Sequence, residues 1–248
     1  MAGTDQQAQV NQTTSLLDVS DIQTGYDDLQ ILWNVSMNVQ RGERVIVLGA
    51  NGAGKTTLLK ALVGLLPIWE GAIHLNGESV AAMRIDKRIS RGVSYLSEVG
   101  VVAGLSIEEN LRIGGYHLAA SAVRSQMAAM YEFFPDLRVR RRDAAASLSG
   151  GQRKMLAVAK ALMSRPQLVI MDEPSAGLSP LFVSEVISMV NRFHDDGISF
   201  LIAEQNVKFL EIADRVYVLD SGRTIFAGTV AELHGNDALE RAYFGVYG

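Results

Sequence analysis

The chain has 248 residues, 48% hydrophobic and 20% charged, which suits one compact globular unit or one core carrying an inserted subdomain. A net charge of −4 leaves no electrostatic footprint for nucleic acid, so no nucleic-acid partner is expected. Without a single cysteine, the chain has no disulfides, thiolate zinc sites or thiol nucleophiles.

Residues 1–15 are polar, rich in Gln, Asn and Thr, and lack the basic and apolar regions of a signal peptide. They predict a disordered tail. Residues 16–22 and 35–39 alternate as half-buried strands do, with a turn near Gly25 between them. The run Val45-Ile46-Val47-Leu48 predicts a strand over 43–48 buried on both faces. A glycine-rich loop follows, then a helix over Lys55–Val63 that stops near Gly64 and Pro67. Residues 72–75 and Val93–Leu96 read as further strands.

The texture changes after Glu98. Residues 107–113 and 122–134 carry helical patterns enriched in Ala, Met and Gln, so 98–165 reads as a helical insertion. Alternation then resumes: strand 168–171, helix 180–194, strand 199–203, helix near 207–213 and strand 216–219. Such alternation predicts an α/β fold with a mostly parallel sheet. Ser221-Gly222 marks a hairpin turn, 224–227 the return strand, and 237–244 a final helix. There is no internal repeat and no apolar run of 18 residues, so the expectation is a cytoplasmic protein that reaches a membrane only through a partner.

Gly49-Ala50-Asn51-Gly52-Ala53-Gly54-Lys55-Thr56 fits the phosphate-loop pattern between a buried strand and a helix. Glycines let backbone N–H groups approach phosphates, and the helix N-terminus adds about half a positive charge. Lys55 is suited to phosphate oxygens, and the Thr56 hydroxyl to Mg²⁺. The apolar strand 168–171 ends in Asp172, the usual second Mg²⁺ contact in such nucleotidases. Glu173, one residue on, is placed to take a proton from an attacking water.

Leu148-Ser149-Gly150-Gly151-Gln152 supplies a second anion-suited helix N-terminus, with Ser149 as N-cap and an Ala- and Leu-rich helix behind it. One chain does not need two such sites for one γ-phosphate. The reading is that this one is donated to a partner's nucleotide.

These motifs, in this order, resemble the ATP-binding subunit of an ABC transporter across 16–245. The resemblance implies a P-loop NTPase core, an N-terminal antiparallel β subdomain and an inserted helical subdomain, all within 16–248. It implies ATP and Mg²⁺ as ligands, with Tyr26 stacking on adenine and residues 49–57, Thr57 included, around the phosphates. It also implies a second ABC ATPase subunit, identical or related, that receives Ser149 to Gln152 and meets the loop 175–180. Transmembrane permease subunits and, indirectly, an extracytoplasmic solute-binding protein would complete the assembly on the inner face of the membrane.

Five stretches are similar to the branched-chain amino acid importer family of LivF type. They are 49–57, Glu108-Glu109-Asn110-Leu111, 173–180, Glu204-Gln205-Asn206 and 241–245. Two positions depart from most ABC ATPases. Glu98 stands where a Gln senses Mg²⁺ and the permease; a Glu there resembles the importer family, which usually continues with an Arg-rich stretch where this chain has Gly100-Val-Val-Ala-Gly104. Gln205 stands where a His follows the strand 199–203; it can donate to a γ-phosphate oxygen but cannot become cationic.

Other signals read as structural. The run 138–142 is a basic linker or a contact for headgroups or a permease, and His74, His117, His194 and His234 lack metal-ligand spacing. The nine methionines fill core gaps, and Trp33 and Trp69 are structural. Two rival readings remain. A non-transport ABC ATPase of an assembly or repair complex calls for tandem cassettes or a coiled-coil insertion. A GTPase calls for an Asn-Lys-x-Asp element. Neither feature is present.

Overall fold

The computed structural model describes residues 15–97, 100–236 and 238–239. The expected terminal tail, the expected helix over 237–244 and Glu98 lie largely or wholly outside them.

The first two strands, β1 (Leu17–Tyr26) and β2 (Leu29–Val39), form a long antiparallel hairpin. Its turn is at Asp27 and Asp28, next to the expected place near Gly25. Gly25 sits inside β1, where a side chain would run into the carbonyl of Leu29, so this glycine marks a close backbone approach rather than a turn. With β4 (Glu70–Leu75) and β5 (Glu78–Ser79) the hairpin makes a four-stranded sheet in the order β2-β1-β4-β5. Register shifts along β1, with Asp21 and Asn34 at positive φ, break the alternation that would have revealed 29–34 as strand.

The second sheet contains β3 (Arg44–Leu48), β6 (Val93–Leu96), β7 (Leu168–Asp172), β8 (Ser199–Glu204), β9 (Arg215–Asp220) and β10 (Arg223–Gly228). Its order is β10-β9-β3-β8-β7-β6, parallel throughout except for the edge strand β10. Period two divides its side chains cleanly. Val45, Val47, Leu168, Ile170, Leu201, Ala203, Tyr217 and Leu219 face the antiparallel sheet and the helix α1 (Lys55–Val63). Ile46, Leu48, Val169, Met171, Phe200, Ile202, Val216 and Val218 face the helices on the other side. Covered on both faces, these strands are continuously apolar, which is what made them legible.

Between β3 and β6 the chain also forms α2 (Ile85–Ser90). Between β6 and β7 lie α3 (Ile107–Gly114), α4 (Ala120–Phe133), α5 (Pro135–Val139) and α6 (Gly150–Leu162). After β7 come α7 (Pro180–Asp195), a 3₁₀ turn over Val207–Ile212 where a helix was expected, and α8 (Val230–His234). The three shortest, α2, α5 and α8, carry too little periodicity to be predicted.

The position of α1 is fixed at its far end by a buried cation. Arg88 of α2, 2% exposed, donates to the carbonyls of Ala61 (2.9 Å) and Leu62 (2.7 Å) at the C-terminus of α1, and to Ala81 and Met83 (both 3.0 Å). A guanidinium is favoured there by the negative end of the helix; its fork pairs the Leu62 carbonyl and shares the Ala61 carbonyl with the Gly64 N–H. Arg88→Met removes all of these donors while keeping bulk. Urea titration should show unfolding free energy reduced by about 2–4 kcal/mol, with an unchanged slope.

Candidate nucleotide site

The parallel strands β3, β8 and β7 are neighbours, so their C-terminal ends share one edge of the sheet, where α/β folds place ligands. The register sets Leu48 opposite Glu204 and Ala203 opposite Asp172. The loop after β3, the residues ending β8 and the acidic end of β7 are therefore brought together by backbone pairing alone.

The loop turns into α1 at Gly54, left-handed at φ 104°, and no side chain caps the helix. The hairpin tip between β9 and β10 braces it, with Gly222 N–H donating to the Ala53 carbonyl at 2.9 Å. Lys55, 4% exposed, curls back over the loop and donates to the carbonyls of Gly49 (2.8 Å) and Ala50 (3.0 Å). Its Nζ also lies 3.0 Å from Glu173 Oε1. That carboxylate oxygen accepts a second bond, from Gln205 Nε2 at 3.1 Å, and the same Nε2 donates to Asn51 Oδ1 at 2.6 Å. An open cavity of about 470 Å³ lies over this group, lined by Ile31, Asn51, Gly52, Gly54, Lys55, Thr56, Thr57 and Glu173.

Asp172 is buried, and burial pushes its carboxyl above the ordinary range. Thr56 Oγ1 donates to Oδ1 (3.1 Å) and the Tyr95 hydroxyl donates to Oδ2 (3.2 Å), which pull in the opposite direction. Burial and the neighbouring Asp172 charge in turn push the Tyr95 hydroxyl up, so it stays a donor. One hydroxyl and one carboxylate, side by side and oriented, form the sparse oxygen set that Mg²⁺ takes when substrate phosphates and water supply the rest.

The second predicted helix terminus stands apart from this cavity, and none of residues 149–152 lines it. Ser149 caps α6 in a reciprocal capping box: its Oγ accepts from Gln152 N–H (3.2 Å), and Gln152 Oε1 accepts from Ser149 N–H (3.1 Å). Arg140, from the basic run, also donates to Gln152 Oε1 (3.2 Å) and to Ser147 Oγ (3.0 Å), so this arginine holds the loop. Gly150 is open, whereas a Cβ on Gly151 would lie 2.5 Å from the Phe182 ring.

The sequence matches the family model described as ABC transporter over residues 32–176. The chain belongs to the ABC transporter family. It is similar to the high-affinity branched-chain amino acid transport ATP-binding protein BraG of Pseudomonas aeruginosa, 36% identical over 93% of this chain and 100% of that one. It is also similar to the probable branched-chain amino acid transport ATP-binding protein LivF of Archaeoglobus fulgidus, 37% identical over 91% of this chain and 97% of that one. Among solved structures, an ATP-binding cassette of an ABC transporter in its ADP conformation superposes with a TM-score of 0.81 at 25% identity, covering 93% of this chain and 99% of that one. This ABC subunit is an ATPase, and its fold is the P-loop ATPase core with an antiparallel β sheet and added helices.

Within this ABC ATPase, Lys55, Thr56, Asp172, Glu173, Asn51 and Gln205 converge on one edge. Tyr26 does not line the cavity. It is 40% exposed at the end of β1, with Lys60 Nζ over its ring, 5.6 Å from the centre. Tyr95, Ile31 and Lys154, which donates to the Glu173 carbonyl at 3.4 Å, carried no sequence signal. Glu204 did: 199–204 repeats the pattern of 168–172, an apolar strand ending in a carboxylate.

Gly151→Ala should overpack the Phe182 contact and destabilise the chain by about 1–3 kcal/mol. Adding Phe182→Leu should recover part of the lost melting temperature, because it frees the space that the new methyl needs.

Proposed function

We propose that the chain powers an importer of branched-chain or related amino acids, peripheral on the inner face of the membrane and bound to permease subunits. The cargo reading rests on 36% and 37% identity to BraG and LivF over nearly the whole of both proteins. The observation that carries the ATPase mechanism is the convergence on Glu173 Oε1 of Lys55 (3.0 Å) and Gln205 (3.1 Å) at the open cavity.

Each residue has a role in that geometry. The loop amides of Gly49 to Gly54 and the Lys55 ammonium hold β- and γ-phosphate oxygens of ATP, and Thr57 follows them into the first turn of α1. Thr56 and Asp172 hold Mg²⁺, whose positive charge, when bound, draws off charge from the transferring phosphoryl group. Tyr26 stacks on adenine. Glu173 orients the attacking water and accepts its proton, help typically worth ~10²–10⁴ in rate. Gln205 keeps an uncharged donor beside Glu173 and turns it toward the γ-phosphate.

The site is completed across a pair. Ser149, Gly150 and Gly151 of one subunit donate to the nucleotide of the other, and Gln152 stiffens that loop through the capping box. Binding of ATP favours the closed pair and its hydrolysis favours the open one, so attached permeases feel a ligand-biased two-state element. A solute-binding protein outside the membrane would deliver the cargo.

Glu173→Gln should leave MgATP binding within a few-fold of wild type, lower kcat by ~10² or more, and shift the chain toward dimer on a sizing column with MgATP. Normal hydrolysis in that variant would remove Glu173 from the base role. Ser149→Arg should leave the chain's own MgATP affinity unchanged yet suppress hydrolysis at the partner's site. Such a defect should be rescued when Ser149→Arg is mixed with a subunit that supplies an intact loop. For the cargo, the chain should co-purify with permease subunits, and leucine with its binding protein should raise the complex's ATPase rate in proteoliposomes. A complex that responds to no branched-chain amino acid would overturn the cargo assignment.

A further inference from the structure

Glu204 is a charged residue in a place where charge is expensive. It ends β8 at 2% exposure, within the C-terminal edge of the sheet. A carboxylate there persists only if its oxygens are well satisfied. Its two oxygens serve different loops. Oε1 accepts from the backbone N–H of Ser175 at 2.7 Å, on the loop leaving β7. Oε2 accepts from the backbone N–H groups of Gln205 (3.1 Å) and Asn206 (3.3 Å), on the loop leaving β8. Burial pushes the carboxyl up, and these N–H bonds pull it back toward the charged form.

The two loops it joins carry the two side chains that meet over the cavity. Glu173 lies between fixed points: Asp172 is still in the β7–β8 ladder, and Ser175 is held by Glu204. Glu173 itself adopts φ 45°, a left-handed conformation that a non-glycine side chain holds only when its surroundings over-determine it. Its own N–H donates to the Ala203 carbonyl at 2.9 Å, so its backbone is pinned on one side by β8 and, through Ser175, on the other by Glu204. The same carboxylate sets the backbone of Gln205, whose side chain lies 3.1 Å from Glu173 Oε1.

We propose that Glu204 is a positioning residue for hydrolysis: by tying Ser175 to Gln205 and Asn206 it holds Glu173 and Gln205 in register with each other. This rests on the role given above to Glu173. It touches neither substrate nor metal. The task needs two acceptors on one buried side chain. Glutamine keeps the length but turns one acceptor into a donor facing an N–H, and aspartate keeps both acceptors one methylene short.

The test is a double-mutant comparison on the full-length chain, with MgATP as the probe. Glu204→Gln should lower kcat by about 10–100-fold, the penalty for misplacing a reacting group by an ångström or less, while KM for MgATP stays within about threefold. The same substitution placed in Glu173→Gln should leave that variant's residual single-turnover rate unchanged, because there is no base left to position. A merely structural Glu204 would lower the rate by the same factor in both backgrounds, and that result overturns the proposal. So does a Glu204→Gln chain with wild-type kcat. Should Glu204→Gln melt well below wild type, Glu204→Asp, which keeps both acceptors, is judged by the same two numbers, and loss of MgATP binding in both variants also counts against the proposal. Failure of the underlying reading looks different: Glu173→Gln alone would then hydrolyse MgATP normally.

Discussion

Everything at this site depends on a parallel sheet buried on both faces. Such a sheet has no room for polar side chains along β3, β7 and β8, whose residues pack into one or the other apolar core. Polar chemistry is therefore displaced to the strand ends. Because β3, β8 and β7 are adjacent and parallel, their carboxyl ends emerge side by side. The phosphate loop, Glu204 with Gln205, and Asp172 with Glu173 are neighbours as a consequence of strand order, not of sequence proximity.

The edge that results is held by two kinds of contact. Side chains meet across the cavity, as Lys55, Glu173, Gln205 and Asn51 do. Behind them, the backbone itself is gripped: Glu204 takes N–H groups from two loops, Arg88 donates to carbonyls at the end of α1, and the Gly222 N–H donates to the Ala53 carbonyl. The first kind can rearrange around a ligand. The second kind fixes where those side chains start from, since backbone groups cannot be repositioned without breaking the elements that own them.

That division also explains what the sequence made legible. The strands over β3, β7, β8 and β9 could be read because burial on both faces leaves an unbroken apolar run. The phosphate loop and Asp172-Glu173 could be read because their spacing is local. Residues 29–34 of β2 could not, because bulges spoil the alternation, and Gly25, beside the expected turn, serves a close approach between strands that the sequence does not display. The expected helix near 207–213 is a 3₁₀ turn, whose short run of apolar residues looks the same in sequence. Tyr95 joins Asp172 from 77 residues away, and Arg88 binds carbonyls that no sequence pattern displays; Glu204 showed as the carboxylate ending an apolar strand, but the N–H groups it holds did not. Main-chain partners distant in sequence are silent until the fold is known.

The capping box at the start of α6 has one more implication. Ser149 and Gln152 spend acceptor capacity on each other's N–H groups, and Arg140 takes more from Gln152. The tip that faces outward is thus dominated by hydrogen-bond donors, the N–H groups of Gly150 and Gly151 that the helix itself cannot pair. Pressed against a neutral surface, such a tip would lose water and gain nothing. An acceptor placed opposite it restores the lost bonds, and an anion does so best. In the pairing proposed above, association through this face would be conditional by its own chemistry: without a phosphate between two subunits these donors would lose water with no replacement, and with one between them they would be paired.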